Sequence, residues 1–387
     1  MLPQPMAMVA LSELLGQPAA ASFLRGVVAG GRYANAYLLY GPMGVGKGTA
    51  ALAFARALLC EGRDHAGDDA CGACPACLKS AGLLHPDLKF LFPVSGEERE
   101  LDQTVAETLE QLRHDPLFVF SYDKPASIRL SLTRELLREL AYRPFEAARR
   151  VVVVRDADRM REDQYSALLK SLEEPGDLTV WVLTSSRPWR LPATIRSRCQ
   201  AVRFAPLPED RLRTFLEREA GLSRNEARLL AALAAGSLSR ALMLRESEPL
   251  KLRDEALSLL EPALRGDASG LWRAAQAFMG YGRAGRERLR RMIEFHALWL
   301  RDLLRAGVGA PREALANRDR EAEIRRQAQD LPPREVRRRL MVLEEALQSI
   351  EGNVTPDFTL FSAMARLGGT RLGEGQWPAH PTARWDY

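Results

Sequence analysis

A glycine-rich segment, Gly41-Pro-Met-Gly-Val-Gly-Lys-Gly-Thr49, has the spacing of a phosphate-binding loop between a strand and a helix. Backbone N–H groups of such a loop converge on phosphate oxygens, the helix N-terminus adds partial positive charge, and the lysine reaches the β and γ phosphates. The segment therefore predicts that ATP or ADP binds here. The expected binding residues are Gly41, Gly44, Gly46, Lys47, Gly48 and Thr49.

Position 48 departs from the usual loop. A Ser or Thr normally follows the lysine and ligates Mg²⁺, but here Gly48 stands at that position and Thr49 comes one residue later. We therefore predict nucleotide binding, with Mg²⁺ as a companion ion whose ligation this loop does not guarantee.

A second nucleotide element is expected at an apolar strand that ends in acidic residues, here the segment Val151-Val-Val-Val-Arg-Asp-Ala-Asp158. Asp156 fits the role of the Asp that reaches the metal shell. Ala157 stands where a Glu would activate water, so we expect ATP hydrolysis to be weak or absent. Asp158 either replaces that base or caps the following helix.

Four of the five cysteines form a cluster with the spacing C-x10-C-x2-C-x2-C, namely Cys60, Cys71, Cys74 and Cys77, whereas Cys199 stands alone. In a reducing compartment, thiolate ligation of a metal is favoured over disulfides. Four soft ligands suit tetrahedral zinc and leave no open position for catalysis. The pattern predicts a structural Zn²⁺ site, and the alternative is four incidental thiols in a Gly/Ala/Asp-rich loop.

The elements that position these residues change along the chain from mixed to helical. Alternation of apolar runs with helical periods predicts a mainly parallel sheet, and from Glu209 onward the pattern is helical, so the fold class is α/β followed by all-α. Residues 95–127 are interpreted as an inserted element that is neither a strand nor one regular helix. The candidate strands are 36–40, 90–94, 151–155 and 180–184.

Composition excludes several classes of protein. The chain has 387 residues, of which 46% are hydrophobic and 27% charged, and no apolar run approaches the roughly 18 residues of a membrane-spanning helix. The N-terminus lacks the features of a signal peptide, so we expect a cytoplasmic protein without membrane contact. A surplus of 55 Lys+Arg over 50 Asp+Glu permits contact with nucleic acid but does not require it.

Several motifs occur in a characteristic order. GQPAAASFLRGVV begins at Gly16, and the phosphate loop and the four cysteines follow. HPDL, DADRM, ALLKSLEEP, LPATIRSRC and GSLSRAL complete the order, ending at Leu242. This set resembles the bacterial clamp-loader subunits of DNA polymerase III, and most of all the delta-prime group. The resemblance covers roughly residues 10 to 245; beyond Leu250 only helical character supports it.

The resemblance implies an AAA+ fold with three domains and an irregular tail. Residues 1–205 would form a RecA-like nucleotide domain that carries the zinc module, 206–248 a helical lid, 249–372 a helical collar for oligomerisation, and 373–387 the tail.

The resemblance also assigns site residues outside the phosphate loop. Arg198 matches the arginine of the SRC motif, which reaches the γ-phosphate bound by a neighbouring subunit. A planar, permanently charged guanidinium supplied by another chain stabilises charge on a transferred phosphoryl group. Ser185, or Ser186 beside it, would sense the γ-phosphate, and Arg240, or Ser239 beside it, would be the lid sensor.

The implied partners are gamma/tau and delta subunits in a ring-like heteropentamer, the β sliding clamp, and primed DNA contacted through the assembled complex. The chain itself would lack polymerase activity, although such subunits are classed with DNA-directed DNA polymerase, a nucleotidyltransferase. Ala157, and the end of the chain after one collar-sized domain, favour delta-prime over gamma/tau.

Three other hypotheses remain. The first is an active gamma/tau-like ATPase whose base is Asp158 or comes from another chain. The second is a small nucleotide kinase, because GPMGVGKGT resembles the loops of that class. The third is a DNA-binding regulator, although no helix-turn-helix or basic-aromatic platform is visible in the sequence.

Overall fold

The computed structural model of the chain describes residues 9–62, 67–95, 101–115, 117–120, 126–173, 178–245, 248–259, 267–276, 282–351 and 355–368. The chain divides into two units, Met1–Gly221 with Ala234–Met243, and Leu222–Leu233 with Leu244–Tyr387. The division into three domains stays a prediction, and the expected tail, 373–387, lies outside the described residues.

A five-stranded parallel sheet forms the centre of the first unit, with strand order β2-β3-β4-β1-β5. Three candidate strands are confirmed within one residue, the second begins two residues and ends three residues earlier than expected, and β5 was not predicted. The strands are β1 Ala36–Tyr40, β2 Leu88–Leu91, β3 Arg150–Val154, β4 Thr179–Ser185 and β5 Gln200–Arg203.

Both faces of the three inner strands β1, β3 and β4 are buried, which explains why these strands are apolar without alternation. On β3, Val151 and Val153 belong to one hydrophobic cluster and Val152 and Val154 to another. The first cluster includes side chains of the two helices that flank β1, and the second includes Leu136, Leu168 and Ile195 from later helices. The two layers of helices hold the sheet rigid beneath the loops at its carboxyl edge.

Helices occupy most of the remaining described residues. Those before residue 246 are α1 Pro18–Gly30, α2 Lys47–Leu59, α3 Pro75–Ala81, α4 Leu101–His114, α5 Leu130–Leu140, α6 Glu162–Glu173, α7 Ala193–Arg196, α8 Glu209–Arg218, α9 Arg224–Leu233 and α10 Leu238–Arg245. The later ones are α11 Pro249–Ser258, α12 Ala268–Gln276, α13 Gly282–Gly307, α14 Glu321–Asp330, α15 Pro333–Glu351 and α16 Pro356–Leu367.

The inserted element differs from its prediction, because α4 is a regular helix of 14 residues. Its apolar positions recur at helical spacing, so Leu101 and Leu112 are buried while polar residues occupy the other face. Leu101 packs with Phe92 and Val94 at the end of β2. The sequence did not predict this helix because acidic residues surround its apolar positions.

The second unit is helical in its described residues, as the sequence predicts. The long helix α13 packs against α11, α14, α15 and α16 through a buried stripe that includes Leu289, Ile293 and Leu300. Buried Asp302 on α13 accepts hydrogen bonds from the N–H groups of Ala316 and Asn317, which fixes the following loop. In neither unit does a described helix have the length and apolar character needed to cross a membrane.

Candidate nucleotide site and cysteine cluster

The predicted nucleotide residues meet at the carboxyl edge of the sheet, which is where ligands bind in open parallel sheets. The phosphate loop follows β1 and leads into α2. Arg155 and Asp156 follow β3, and Ser185 is the last residue of β4. The strand order places β4 between β3 and β1, so the three strand ends are neighbours.

The glycines of the loop are required by its shape. Gly44 and Gly46 have φ values of +77° and +96°, in the region that only glycine adopts readily. A Cβ on Gly44 would also lie 2.1 Å from the Oγ atom of Ser237. The N–H group of Ser239 lies 3.4 Å from the Gly44 carbonyl oxygen, so the loop is packed against the start of α10.

Lys47 is 5% exposed and points back into the loop. Its Nζ atom donates to the carbonyl oxygens of Gly41 at 2.8 Å and Pro42 at 2.5 Å, and to the hydroxyl of Ser186 at 3.2 Å. Burial lowers the pKa of Lys47 to about 8, although the Asp156 carboxylate opposes this shift. The ammonium group is therefore held by weak acceptors that phosphate oxygens can replace.

Asp158 is committed to a buried hydrogen-bond cluster that the sequence did not predict. One carboxylate oxygen accepts from the Ser185 hydroxyl at 2.8 Å and the Ser186 N–H at 3.1 Å, and the other accepts from Arg187 Nε at 2.9 Å. Burial alone would raise the pKa of Asp158, but these hydrogen bonds and the Arg187 charge lower it below its ordinary value. A carboxylate held in this way is a poor proton acceptor.

The position expected for the general base and the Asp expected to reach the metal shell differ in surroundings. Ala157 is fully buried and offers no carboxylate. Asp156 has a left-handed backbone with φ +48°, its N–H donates to Thr184 Oγ1 at 2.9 Å, and its carboxylate lies 3.5 Å from Arg155 Nε. Asp156 is thus in the site, where its negative charge faces an arginine as well as Lys47.

The residues present do not fit the Mg²⁺ site that a phosphate loop implies. Gly48 carries no hydroxyl, and its Cα faces the guanidinium of Arg155, whose Nη1 atom would lie 2.1 Å from an added Cβ. Thr49 lies within the first turn of α2 and is half-buried. A cationic side chain therefore occupies the neighbourhood in which a metal ligand is expected.

Two contacts of the site involve Gln17, which was not among the predicted site residues, and Ser186, which was predicted only as the alternative to Ser185. Gln17 is buried, and its side-chain amide donates to Val45 and Ala205 carbonyl oxygens at 3.2 and 2.7 Å. Ser186 contacts Lys47 whereas Ser185 faces Asp158. The local sequence around Gln17 carries no signal for this role, because its partners lie 28 and 188 positions away along the chain.

The two arginines predicted outside the loop are placed differently. Arg198 is exposed just after α7, and its Nη1 atom donates to the Thr194 carbonyl oxygen at 2.8 Å. Arg240 is half-buried in the first turn of α10, where its N–H donates to Ser237 Oγ. Ser239, its neighbour, lies against Gly44 together with Ser237. The sensor roles of Ser185 and Arg240 stay predictions.

The four cysteines converge at the far end of α2. Their Sγ atoms all lie within 4.8 Å of one another, with Cys60 to Cys74 at 4.0 Å and Cys71 to Cys77 at 3.9 Å. Zn–S bonds of about 2.3 Å in a tetrahedron give sulfur–sulfur edges of roughly 3.8 Å. The cluster is therefore compatible with a structural zinc ion.

Backbone N–H groups favour the thiolate form at Cys71 and Cys74, whereas burial raises the pKa of the Cys60 and Cys77 thiols. The N–H groups of Cys71, Cys74 and Cys77 point at the sulfurs of Cys60, Cys71 and Cys74 at 3.3 to 3.4 Å. Hydrogen bonds from the Ala73 and Cys74 N–H groups lower the pKa of Cys71. At Cys74, burial opposes ionisation, but bonds from Cys77 and Glu61 N–H groups lower the pKa to about 6.

The fold and the site together define a P-loop α/β protein with an attached cysteine cluster. The family model described as "DNA polymerase III, delta subunit" matches residues 16–208. Over that segment the chain belongs to the DNA polymerase III delta-prime family, to which the gamma/tau subunits are related.

The matched relatives carry these names. A protein from Pseudomonas aeruginosa named DNA polymerase III subunit delta' is 39% identical over 46% of this chain and 46% of its own length. Its namesake from Escherichia coli is 28% identical over 66% of each chain. A gamma/tau subunit from Mycobacterium bovis is 27% identical over 92% of this chain and 60% of its own length. The matches thus span less than two thirds of each relative.

Proposed function

We propose that the chain is a clamp-loader subunit of the delta-prime type in the DNA polymerase III holoenzyme. In this role it helps to open the β sliding clamp and to place the clamp on primed DNA during DNA replication. The family match over residues 16–208 and the relatives named delta' support the proposal. The chain itself is expected to have no polymerase activity.

The observation that carries the proposal is that a phosphate loop with its lysine in place lies beside acidic residues that are unsuited to hydrolysis. Lys47 holds acceptors that a phosphate can replace, so ATP or ADP binds at the loop. Ala157 has no carboxylate, and both oxygens of Asp158 accept hydrogen bonds from Ser185 and Arg187 among others. A general base must be free to take a proton from the attacking water. Nucleotide is therefore bound but turned over slowly or not at all.

The exposed Arg198 is the residue through which this subunit is proposed to act on the nucleotide of a neighbouring subunit. It lies at the surface after α7, and a guanidinium supplied by a neighbouring chain stabilises the charge that develops on a transferred phosphoryl group. In the proposed hetero-oligomer with gamma/tau and delta subunits, Arg198 reaches the nucleotide of a gamma/tau neighbour. Ser185 and Arg240 are the candidate sensors on the chain's own nucleotide.

The domain roles follow the same proposal. Residues 1–205 bind nucleotide and a structural Zn²⁺ through Cys60, Cys71, Cys74 and Cys77, residues 206–248 form the lid, and 249–372 form the collar that oligomerises. The contact of α10 with the phosphate loop supports a lid function for this part of the chain.

The test is ATP hydrolysis and nucleotide binding by the purified chain alone and with primed DNA and clamp. Binding without turnover is expected. In a reconstituted loader, Arg198→Ala should lower ATP turnover, while Arg196→Ala, which removes another exposed arginine beside the same motif, should not. Unchanged turnover in the Arg198→Ala loader would contradict the role in trans.

A second candidate is an active gamma/tau-like ATPase. One observation favours it, because the match to the Mycobacterium bovis gamma/tau subunit extends over 92% of this chain. Clear DNA-stimulated turnover by the isolated chain would establish this candidate in place of the first.

A further inference from the structure

The guanidinium group of Arg155 lies against Gly48, the position at which P-loop proteins carry a magnesium ligand. In those proteins the Ser or Thr after the loop lysine and an Asp after a neighbouring strand bind the metal. Here a Cβ on Gly48 would lie 2.1 Å from Nη1 and 3.2 Å from Cζ of Arg155. The guanidinium group of Arg155 thus fills the volume that a hydroxyl-bearing side chain at position 48 would need.

Arg155 is fixed in this position by three contacts. Its Cζ atom lies 3.9 Å from the centre of the Phe120 ring, and its Nε atom lies 3.5 Å from the carboxylate of Asp156. Its own N–H group donates to the Leu91 carbonyl oxygen at 2.8 Å as the sheet ends. The side chain is 14% exposed, so movement away from Gly48 would break a stacking contact and an ion pair at once.

The charges around the loop favour an anion and disfavour another cation. Burial lowers the pKa of Lys47, Asp156 opposes that shift, and Arg155 adds to it, so the two positive groups act on each other. Phosphate oxygens between them relieve this repulsion. A Mg²⁺ ion would instead add two positive charges next to a guanidinium that the fold holds in place.

The geometry points to a nucleotide site that works without Mg²⁺, in which Arg155 supplies beside Gly48 the positive charge that the metal supplies in other P-loop proteins. Arginine suits this task because its guanidinium is always charged and presents several donors to phosphate oxygens. The ligand is a nucleoside di- or triphosphate free of divalent cation. The inference rests on the nucleotide binding proposed for Lys47.

The test is an equilibrium titration of the full chain with fluorescent ADP and ATP, with and without Mg²⁺. Magnesium should be withheld by dialysis, because a chelator would also attack the cysteine cluster. The wild-type affinities should agree within about twofold in the two conditions. A gain of about tenfold or more on addition of Mg²⁺ would overturn the inference and leave the proposed function standing.

Two single variants test whether Arg155 is responsible for nucleotide binding without Mg²⁺. Arg155→Gln should weaken nucleotide binding by about tenfold or more without Mg²⁺, because it removes a charged donor to phosphate. The matched control is Arg149→Gln, since Arg149 also stacks on an aromatic ring, Tyr33 at 4.1 Å, but precedes β3 instead of following it. Equal affinity of Arg155→Gln and wild type would contradict the role of Arg155.

The double variant Arg155→Ala with Gly48→Ser should regain a metal site, because it empties the volume and adds the hydroxyl. Its nucleotide affinity should rise with Mg²⁺, unlike that of the wild type. Absence of nucleotide binding by the wild type in both conditions would overturn the nucleotide proposal and this inference together, which separates that failure from a Mg²⁺-dependent result.

Discussion

The cysteine cluster and the phosphate loop lie at opposite ends of α2 and differ in how complete they are. At the end of the helix, four sulfurs within 4.8 Å of one another supply every ligand that tetrahedral zinc needs. At its start, the loop keeps its glycines and Lys47, but Gly48 offers no metal ligand and Ala157 offers no base. The cysteine cluster is compatible with a complete zinc site, whereas position 48 lacks a metal-ligating hydroxyl and position 157 lacks a carboxylate.

This difference indicates that the cysteine cluster serves stability and the phosphate loop serves ligand binding. A closed four-ligand zinc site contributes folding free energy and needs no open position. A phosphate loop without a metal ligand or a free base can still bind a nucleotide through its backbone and lysine. This contrast agrees with the subunit proposed above, which binds a nucleotide without turning it over.

The largest expected effect is the loss of zinc and of stability when one cysteine of the cluster is replaced. Cys74→Ser should reduce the zinc content of the purified chain from about one per chain to near zero and lower the free energy of unfolding by about 3 kcal/mol or more. Metal analysis and denaturant unfolding measure both. Cys199→Ser, which removes the cysteine outside the cluster, should keep its zinc; near-stoichiometric zinc in Cys74→Ser would disprove the assigned ligand set.

The next effect is a loss of nucleotide affinity when the lysine of the phosphate loop is replaced. Lys47→Met should weaken ADP binding about 30-fold, because a charged donor to phosphate is lost, and should leave the zinc content unchanged. Calorimetric titration and metal analysis measure the two quantities. The control is Lys89→Met, since Lys89 lies on β2 and pairs with Glu139 at 2.5 Å. If both variants bind ADP like the wild type, Lys47 does not hold phosphate.

A third change separates a structural acid from a catalytic one. Asp158→Asn should lower the free energy of unfolding by about 2 kcal/mol, because Ser185, Ser186 and Arg187 lose a charged acceptor. Nucleotide affinity should fall by less than in Lys47→Met, because Asp158 acts on the site through Ser185 and Ser186. Denaturant unfolding with Asp68→Asn, a surface partner of Arg25, is the matched comparison.

The same acid predicts a pH dependence of stability with a definite sign. The folded-state pKa of Asp158 lies below its ordinary value of 3.8, so its contribution is present above that pH and is lost as the pH falls through the lowered pKa. In Asp158→Asn the loss of stability in acid should be smaller than in the wild type. Equal acid sensitivity of the two proteins would show that Asp158 is not the group concerned.

The smallest effect is a pH dependence of nucleotide binding. The pKa of Lys47 is about 8 in the free protein, and only the protonated form binds phosphate strongly. Affinity for ADP should therefore fall about tenfold between about pH 7 and about pH 9. Titrations across this range measure it. A flat profile would mean that Arg155 and the backbone, without the Lys47 charge, hold the ligand.

The sequence predicted the parts of the fold that local pattern determines. The apolar runs before Gly41 and Asp156 became β1 and β3 because both faces of those strands are buried. Strand β5 was missed because only one of its four residues, Val202, is buried. Helix α4 was missed because acidic residues surround its narrow apolar stripe.

For the site, the sequence named the loop and the cysteines but not the contacts that decide their chemistry. The phosphate loop and the C-x2-C pairs are local motifs, so spacing was enough. The placement of Arg155 against Gly48, and of Asp158 against Ser185, depends on the register of β3 beside β4 and of β4 beside β1. Such contacts join residues far apart in sequence, which periodicity cannot pair.

The amide of Gln17 has a consequence for the order in which the molecule assembles. It joins the Val45 carbonyl of the phosphate loop to Ala205, which lies 188 positions along the chain from Gln17. Strand β1 likewise pairs only with β4 and β5. Contacts of such long range form late, because the intervening chain must first be made and closed into a loop. On a ribosome, nascent chains that end before residue 205 should therefore lack a finished nucleotide site, even when the cysteine cluster has already taken up its metal.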